Sequence, residues 1–329
     1  MSHNRRNQLK TIALLMALII AVFVVNNQYT NRFISGITES TSVASGKTDP
    51  LYEEIKMKAT SYEIAPKDAY IDKVWKAIPG YNGLNVDIES SYKKMKKQGK
   101  FNEKKLVFKE VSPKVHLKDL QPSPVYKGNP DKPMVAFTIN VAWGNEYIPR
   151  MLEVLKKHNA QATFFLEGRW VKNNPTVAQL ISAANQEIGN HSYTHPDMAR
   201  LGTDAISNEI QKTNSIILAT TDKKVEWFAP PSGSFRDEVI KIVSNLGLST
   251  IMWTADTIDW QKPPKEVIIN RVMKKVENGT IVLMHPTAPT SEALDELLTK
   301  IEASGRKVVN ISTLLDEKRY DTIKKVENK

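Results

Sequence analysis

From Val135 to Val309 the chain repeats one pattern, a short apolar run followed by a longer stretch whose apolar residues recur on one helix face. The run at 135–139 precedes a helix pattern over 147–158, the run at 163–166 one over 176–185, and Trp227-Phe228 one over 237–246. The run at 250–253 leads to 265–276 and the run at 281–284 to 291–304, and Val308-Val309 closes the series. A further helix pattern, 203–220, follows the turn that holds His191 and His195. Continuous apolar strands are buried on both faces, and an intervening helix is the crossover that parallel pairing requires. The expectation is an α/β domain, a distorted (β/α) barrel of about seven units. In such barrels reacting groups gather where strands end, and His191, His285, Pro230-Pro231 and Asp256 all fall there.

Upstream the pattern changes. Pro122, Pro124 and Gly128-Asn129-Pro130 mark a boundary, so residues 128–329 form the barrel domain and 51–127 a small α+β domain of unassigned role. Within the small domain one helix is expected over 62–78, closed by Pro79-Gly80, and a second over 87–97 with Asp87 near its cap. Short strands are expected at 105–109 and 115–117. Residues 28–50, rich in Ser, Thr, Asn and Gly, read as a linker. Residues 1–10 carry Arg5, Arg6 and Lys10, and the apolar stretch within 11–27 is either a secretory signal or an uncleaved anchor. The context Val25-Asn26-Asn27-Gln28-Tyr29 is poor for cleavage, which favours the anchor. The basic flank then leaves 1–10 as a cytoplasmic tail and holds the rest outside, attached to the cell membrane, or secreted if the segment is cleaved.

Charge narrows the partners. The net charge of +10 comes mostly from lysines in runs such as Lys93-Lys94-Met95-Lys96-Lys97, a solvated helix face. No interleaving of aromatics with arginines marks a nucleic-acid surface, so an anionic wall polymer or a lipid surface is the better partner. The chain has no cysteine, which excludes disulfides and thiolate metal sites.

Two of its six histidines, His191 and His195, stand four apart in Gly189-Asn190-His191-Ser192-Tyr193-Thr194-His195-Pro196. Imidazole nitrogen suits a borderline divalent cation such as zinc, and two from one turn make half of a catalytic site. A third, His285, ends the apolar run Ile281-Val282-Leu283-Met284.

Residues from about 134 to 315 resemble the polysaccharide deacetylase domain, carbohydrate esterase family four, and five motifs in order carry the resemblance. They are Phe137-Thr138-Ile139-Asn140-Val141, where the family has Thr-Phe-Asp-Asp; His191 to His195; Ala229-Pro230-Pro231-Ser232-Gly233, where it has Arg-x-Pro-x-Gly; Asp256 to Trp260; and Leu283-Met284-His285. The whole chain is similar to membrane-attached, sporulation-type deacetylases of Gram-positive spore formers. The resemblance implies metal-dependent hydrolysis of acetamido groups on cell-wall or spore glycan, of peptidoglycan or chitooligosaccharide type. It implies His191 and His195 as metal ligands, zinc first and cobalt as a substitute, His285 as the acid that protonates the leaving amine, and Asp256 as the residue tuning His285. Trp260 and Leu283 would wall the acetyl pocket, and Pro231 and Ser232 would meet substrate, Pro231 being open to the oxidation that some relatives carry. Asp259 reads as structural.

The departures fall on the other half of the machinery. Asn140 stands in place of the base, Val141 in place of a carboxylate ligand, and Ala229 in place of the Arg that orients the base. Losing both Arg and carboxylate avoids a buried unpaired charge, which costs several kcal/mol. Losing a general base costs about a hundred- to ten-thousandfold in rate. Three readings follow: a weak or inactive deacetylase, a non-catalytic glycan-binding or structural protein on the same fold, and an amidase for a smaller substrate.

Overall fold

The computed structural model describes residues 49–320 and Met16. The expected tail, all of the anchor but Met16 and nearly all of the linker lie outside the described residues, as do 321–329. Among the described residues no helix is long and apolar enough to cross a membrane.

The described chain divides into two compact units: residues 49–64 with Leu84–Lys109, and Ala65–Gly83 with Glu110–Tyr320. In the first, helix α1 (Pro50–Ala59) starts at Asp49, whose side chain accepts from Leu51 N, and Pro50 supplies the fixed φ of a first turn. Helix α2 (Ile88–Met95) starts at Asp87 as expected, with the carboxylate accepting from Ser90 N. The two helices bury Leu51, Tyr52, Ile55, Tyr92 and Met95 together. Tyr52 and Tyr92 meet edge to face at 5.6 Å, and their hydroxyls donate to Glu89 and Asp49.

The helix expected over 62–78 is not there. Strands β1 (Tyr70–Asp72) and β2 (Lys76–Ile78) form an antiparallel hairpin instead. Asp72 Oδ1 accepts from both Val74 N and Trp75 N, at 2.8 Å each, and that turn chemistry overrides the helical spacing. Strand β3 (Gly83–Val86) pairs with β4 (Phe108–Val111), while the strand expected at 115–117 gives way to a 3-10 turn over Leu117–Asp119. The expected boundary at 127 also moves. Residues 65–83 and 110–127 group with the barrel because Val125, 1% exposed, bridges Lys76 on one side and Ile251 on the other.

The large unit is built on a parallel sheet whose strands are β5 (Met134–Val141), β6 (Thr163–Leu166), β7 (Glu187–Asn190), β8 (Trp227–Phe228), β9 (Ser249–Thr250), β10 (Ala255–Asp256), β11 (Ile281–Met284) and β12 (Lys307–Val309). Seven of them lie in the order β10-β11-β5-β6-β7-β8-β9, and β12 pairs with the first half of β5. The path does not join β9 to β10. The expected barrel of about seven units is therefore a curled parallel half-barrel of α/β type. Its helices are α3 (Ile148–Lys157), α4 (Gly168–Asn173), α5 (Pro175–Ala183), α6 (Thr203–Thr221), α7 (Asp237–Asn245), α8 (Lys265–Met273), α9 (Ala288–Ala303) and α10 (Ile311–Leu315).

Strand β5 shows how the two faces are assigned. Val135, Phe137, Ile139 and Val141 belong to the core under the helices, with Leu152, Leu166 and Leu298. Met134 and Ala136 face the other way, into a cluster with Phe165, Ala229 and Ile281. Thr138 and Asn140 share that second parity, so the inward face of β5 turns polar toward its carboxyl end. On β7, Gly189 leaves room for the Phe165 ring, and a Cβ there would stand 2.5 Å from it. Replacing Gly189 with Ala should cost about 1–3 kcal/mol through overpacking, read as a lowered urea midpoint with an unchanged m-value.

Candidate active site

The carboxyl ends of β5, β7, β10 and β11 and the Pro231–Gly233 turn surround a cleft of about 460 Å3 lined by Asn140, His191, His195, Ser232, Asp256, Trp260, Leu283 and His285. Ala142, Trp143 and Trp253 complete the lining. Eight of the residues singled out from sequence thus converge. Pro231 is buried in its turn and Val141 and Ala229 sit in the cores, so these three are not on the cleft wall.

The histidine turn is held from both sides. Asn190 Oδ1 accepts from Ser192 N at 2.8 Å, and Asn190 Nδ2 donates to Ile210 O and Asn214 Oδ1 on α6. Glu209, also on α6, accepts from Tyr193 N and Thr194 N at 2.8 Å each. These bonds hold Ser192 and His195 at φ of 62° and 57°, a left-handed backbone that non-glycine residues adopt only when the surroundings enforce it. His191 Nδ1 donates to Ala229 O at 2.7 Å, which fixes the tautomer and leaves the Nε2 lone pair free. The rings of His191 and His195 lie 5.0 Å apart at 72°. Burial, and next the neighbouring His195, push the His191 pKa down to about 3. Burial also lowers that of His195. Both rings are thus favoured in the neutral form that a metal ligand requires.

The donor set stops there. Among the described residues no group of three or more His, Asp or Glu is arranged to hold a metal ion. Val141, in the position of the third ligand, points into the helix-side core and is 0% exposed. Two imidazoles do not complete the three-ligand tripod of a catalytic zinc site. Nor does position 140 supply a base. Asn140 is 4% exposed, and its Oδ1 has no hydrogen-bond partner. Ala229, 3% exposed, fills the orienting position with a methyl group packed beside Phe165 and Ile251.

The acid arm is intact, but its partner is not the one expected. His285 Nδ1 pairs with Asp259 Oδ1 at 2.8 Å. Asp259 is fully buried and also accepts from His285 N at 2.6 Å and Thr290 Oγ1 at 2.5 Å. Asp256, assigned that role from sequence, accepts instead from Ile258 N at 2.8 Å and lines the cleft. The reason is geometric. Asp256 ends β10 with its side chain inward, and the Asp259–Gln261 turn carries the next carboxylate back beneath His285. Sequence reading also missed Trp143, whose ring stacks on His285 at 5.4 Å and 28°. Its loop is pinned by Gly144 at φ 81°, where a Cβ would lie 1.9 Å from Pro286 O. Trp253, which lines the cleft with Leu283, was the other omission; an aromatic three residues before Asp-x-x-Asp-Trp would have been the signal.

The site is thus a curled parallel half-barrel's cleft with paired histidines after the third strand and a His–Asp couple opposite them. The chain belongs to the polysaccharide deacetylase family, carbohydrate esterase family four: the family profile, "Polysaccharide deacetylase", matches residues 127–251. It is 62% identical to a CE4 family pseudoenzyme of known structure from Bacillus anthracis, with a TM-score of 0.77 over 83% of this chain and 98% of that one. A mutant of that protein, described as having restored enzymatic activity, superposes with the same TM-score of 0.77 at 61% identity, over 82% of this chain and 99% of that one. The uncharacterised protein YlxY of Bacillus subtilis is 54% identical over 90% of this chain and 93% of its own length. The peptidoglycan-N-acetylmuramic acid deacetylase PdaA of Bacillus subtilis is 32% identical over 59% of this chain and 75% of its own length. The family's deacetylases are generally metal-dependent.

Two outcomes follow from the site. Asp259→Ala removes the acceptor of three hydrogen bonds and should cost about 2–4 kcal/mol in urea unfolding. In chelator-treated protein, stability should fall as pH drops from 6.5 toward about 3, because unfolded His191 takes up a proton that the folded ring refuses. The slope, up to about 1.4 kcal/mol per pH unit, should be shallower in His191→Gln when urea midpoints are followed across pH.

Proposed function

We propose that this chain is a glycan-binding member of its family that recognises N-acetylated or de-N-acetylated cell-wall or spore glycan and hydrolyses acetamido groups weakly or not at all. Asn140 carries the reading: an amide stands where a base must accept the proton of the attacking water, and an amide does not accept protons near neutral pH. Val141 and Ala229 support it, because both changes swap a charged group for an aliphatic one already packed in a core. The kept His285–Asp259 couple and the aromatic cleft support retained binding of the sugar. The similarity to a pseudoenzyme points the same way. Zinc is the cation best suited to the two imidazoles, and His191 and His195 would hold it without a third protein ligand. Residues 11–27 anchor the chain in the cell membrane, with the glycan-facing units outside and the lysine-rich surface drawn to anionic wall polymers.

The test is acetate release from N-acetylglucosamine oligomers by the full chain with Zn2+ or Co2+. The wild type should stay near background. Asn140→Asp, and Asn140→Asp with Ala229→Arg, should gain about a hundredfold or less, held down by Val141. Strong turnover by the wild type would overturn the reading.

A further inference from the structure

Resting on that reading of the chain as a glycan binder, we propose that the cleft is selective for de-N-acetylated sugar, a hexosamine with a free ammonium group, over its N-acetylated form. The site would then read the product of deacetylation rather than its substrate.

Three observations carry this. The first is charge. In a chain of net charge +10, no Lys or Arg lines the cleft, whereas the Asp256 carboxylate does. Only Asp256 Oδ1 is engaged, by Ile258 N at 2.8 Å; among the described residues no cation pairs with the group. Asp259, the other nearby carboxylate, is already matched by His285. Asp256 is thus an open counter-ion in a site otherwise free of fixed charge.

The second is the orphaned acceptor. Asn140 is 96% buried by its 4% exposure, lines the cleft, and its Oδ1 accepts nothing. An unmet buried acceptor costs about 1–3 kcal/mol, and a ligand donor recovers it. An ammonium brings three donors and no acceptor, whereas an acetamide brings one donor and a carbonyl that two acceptors repel. In a site with a charged Asp and an Arg at positions 140 and 229 the same pocket would be electrostatically different; here both are absent.

The third is the aromatic wall. Trp143, 46% exposed, and Trp260, 57% exposed, line the cleft together with Trp253. Indole is the strongest cation–π partner among side chains, and its face also packs on the apolar face of a pyranose. Carboxylate, amide oxygen and indole together form a receptor for an ammonium-bearing ring.

The experiment is titration calorimetry of the chelator-treated full chain at about pH 6, where such amines are protonated. The probes are glucosamine, N-acetylglucosamine and glucose oligomers of equal length. The glucosamine oligomer should bind about tenfold tighter than the acetylated one. Asp256→Asn should erase that preference, chiefly by weakening the glucosamine oligomer, and Asp256→Glu should keep part of it. Equal or tighter binding of the acetylated oligomer overturns the proposal, as does a full preference surviving in Asp256→Asn with native circular dichroism. Failure of all three oligomers to bind overturns the glycan-binding function itself, a separate result. General attraction of a polycation is countered by the chain's own positive charge, so a preference for the amine must come from the cleft.

Discussion

The central constraint is that β5 is buried along its whole length and bonded to three other strands. Its eight residues are all buried, with β11 on one side and β12 then β6 on the other. A strand with no solvent face must satisfy every backbone group by pairing and every side chain by packing. That leaves little freedom at its carboxyl end, where Asn140 and Val141 point to opposite sides. One parity opens on the cleft and the other closes under α3, so substitutions at these two neighbours have unrelated physical consequences. At Asn140 a charge has become a neutral amide inside a cavity. At Val141 an aliphatic group has joined the helix-side core.

The losses form a consistent electrostatic set. A buried guanidinium facing Asn140 would be unpaired, and Ala229 removes that problem while its carbonyl still orients His191. A carboxylate at 141 facing the helix-side core would carry its own desolvation penalty, which valine avoids. The acid arm stays because it is satisfied internally: Asp259 accepts three hydrogen bonds and so stabilises the β11 end whether or not any reaction occurs there. What remains is a cleft with one open carboxylate, one unmet amide oxygen and no Lys or Arg in its lining. A binding role follows more directly from that inventory than a hydrolytic one.

The legible parts of the fold were those where local pattern and tertiary demand agree. Helices α6 and α7 and strands β6 and β11 fall within a residue or so of their sequence patterns, because amphipathic spacing or continuous burial is the same condition the packed sheet imposes. The short strands β7 and β10 carry little periodic signal: each lasts only as long as its neighbours offer carbonyls and amides. Residues 62–78 misled because their apolar spacing suits a helix, whereas the Asp72 turn and the pairing of β1 with β2 use the same residues in a hairpin. Of the site, the histidine turn and the three departures were readable as residues at motif positions. The Asp256–Asp259 assignment was not, since two carboxylates three residues apart satisfy one motif equally well.

The sequence by itself determined the class of fold, the family, and the absence of the base, the third ligand and the orienting arginine, because these follow from periodicity and from side-chain chemistry at ordered positions. Only the tertiary structure decided which carboxylate supports His285, that Asp256 stands open on the cleft, that Trp143 stacks on His285, and that Val141 faces away from the site. Those are matters of direction. The chain reverses between Asp256 and His285 through turns whose geometry is set by neighbouring strands, and direction at the end of a strand is resolved only when the strands beside it are in place.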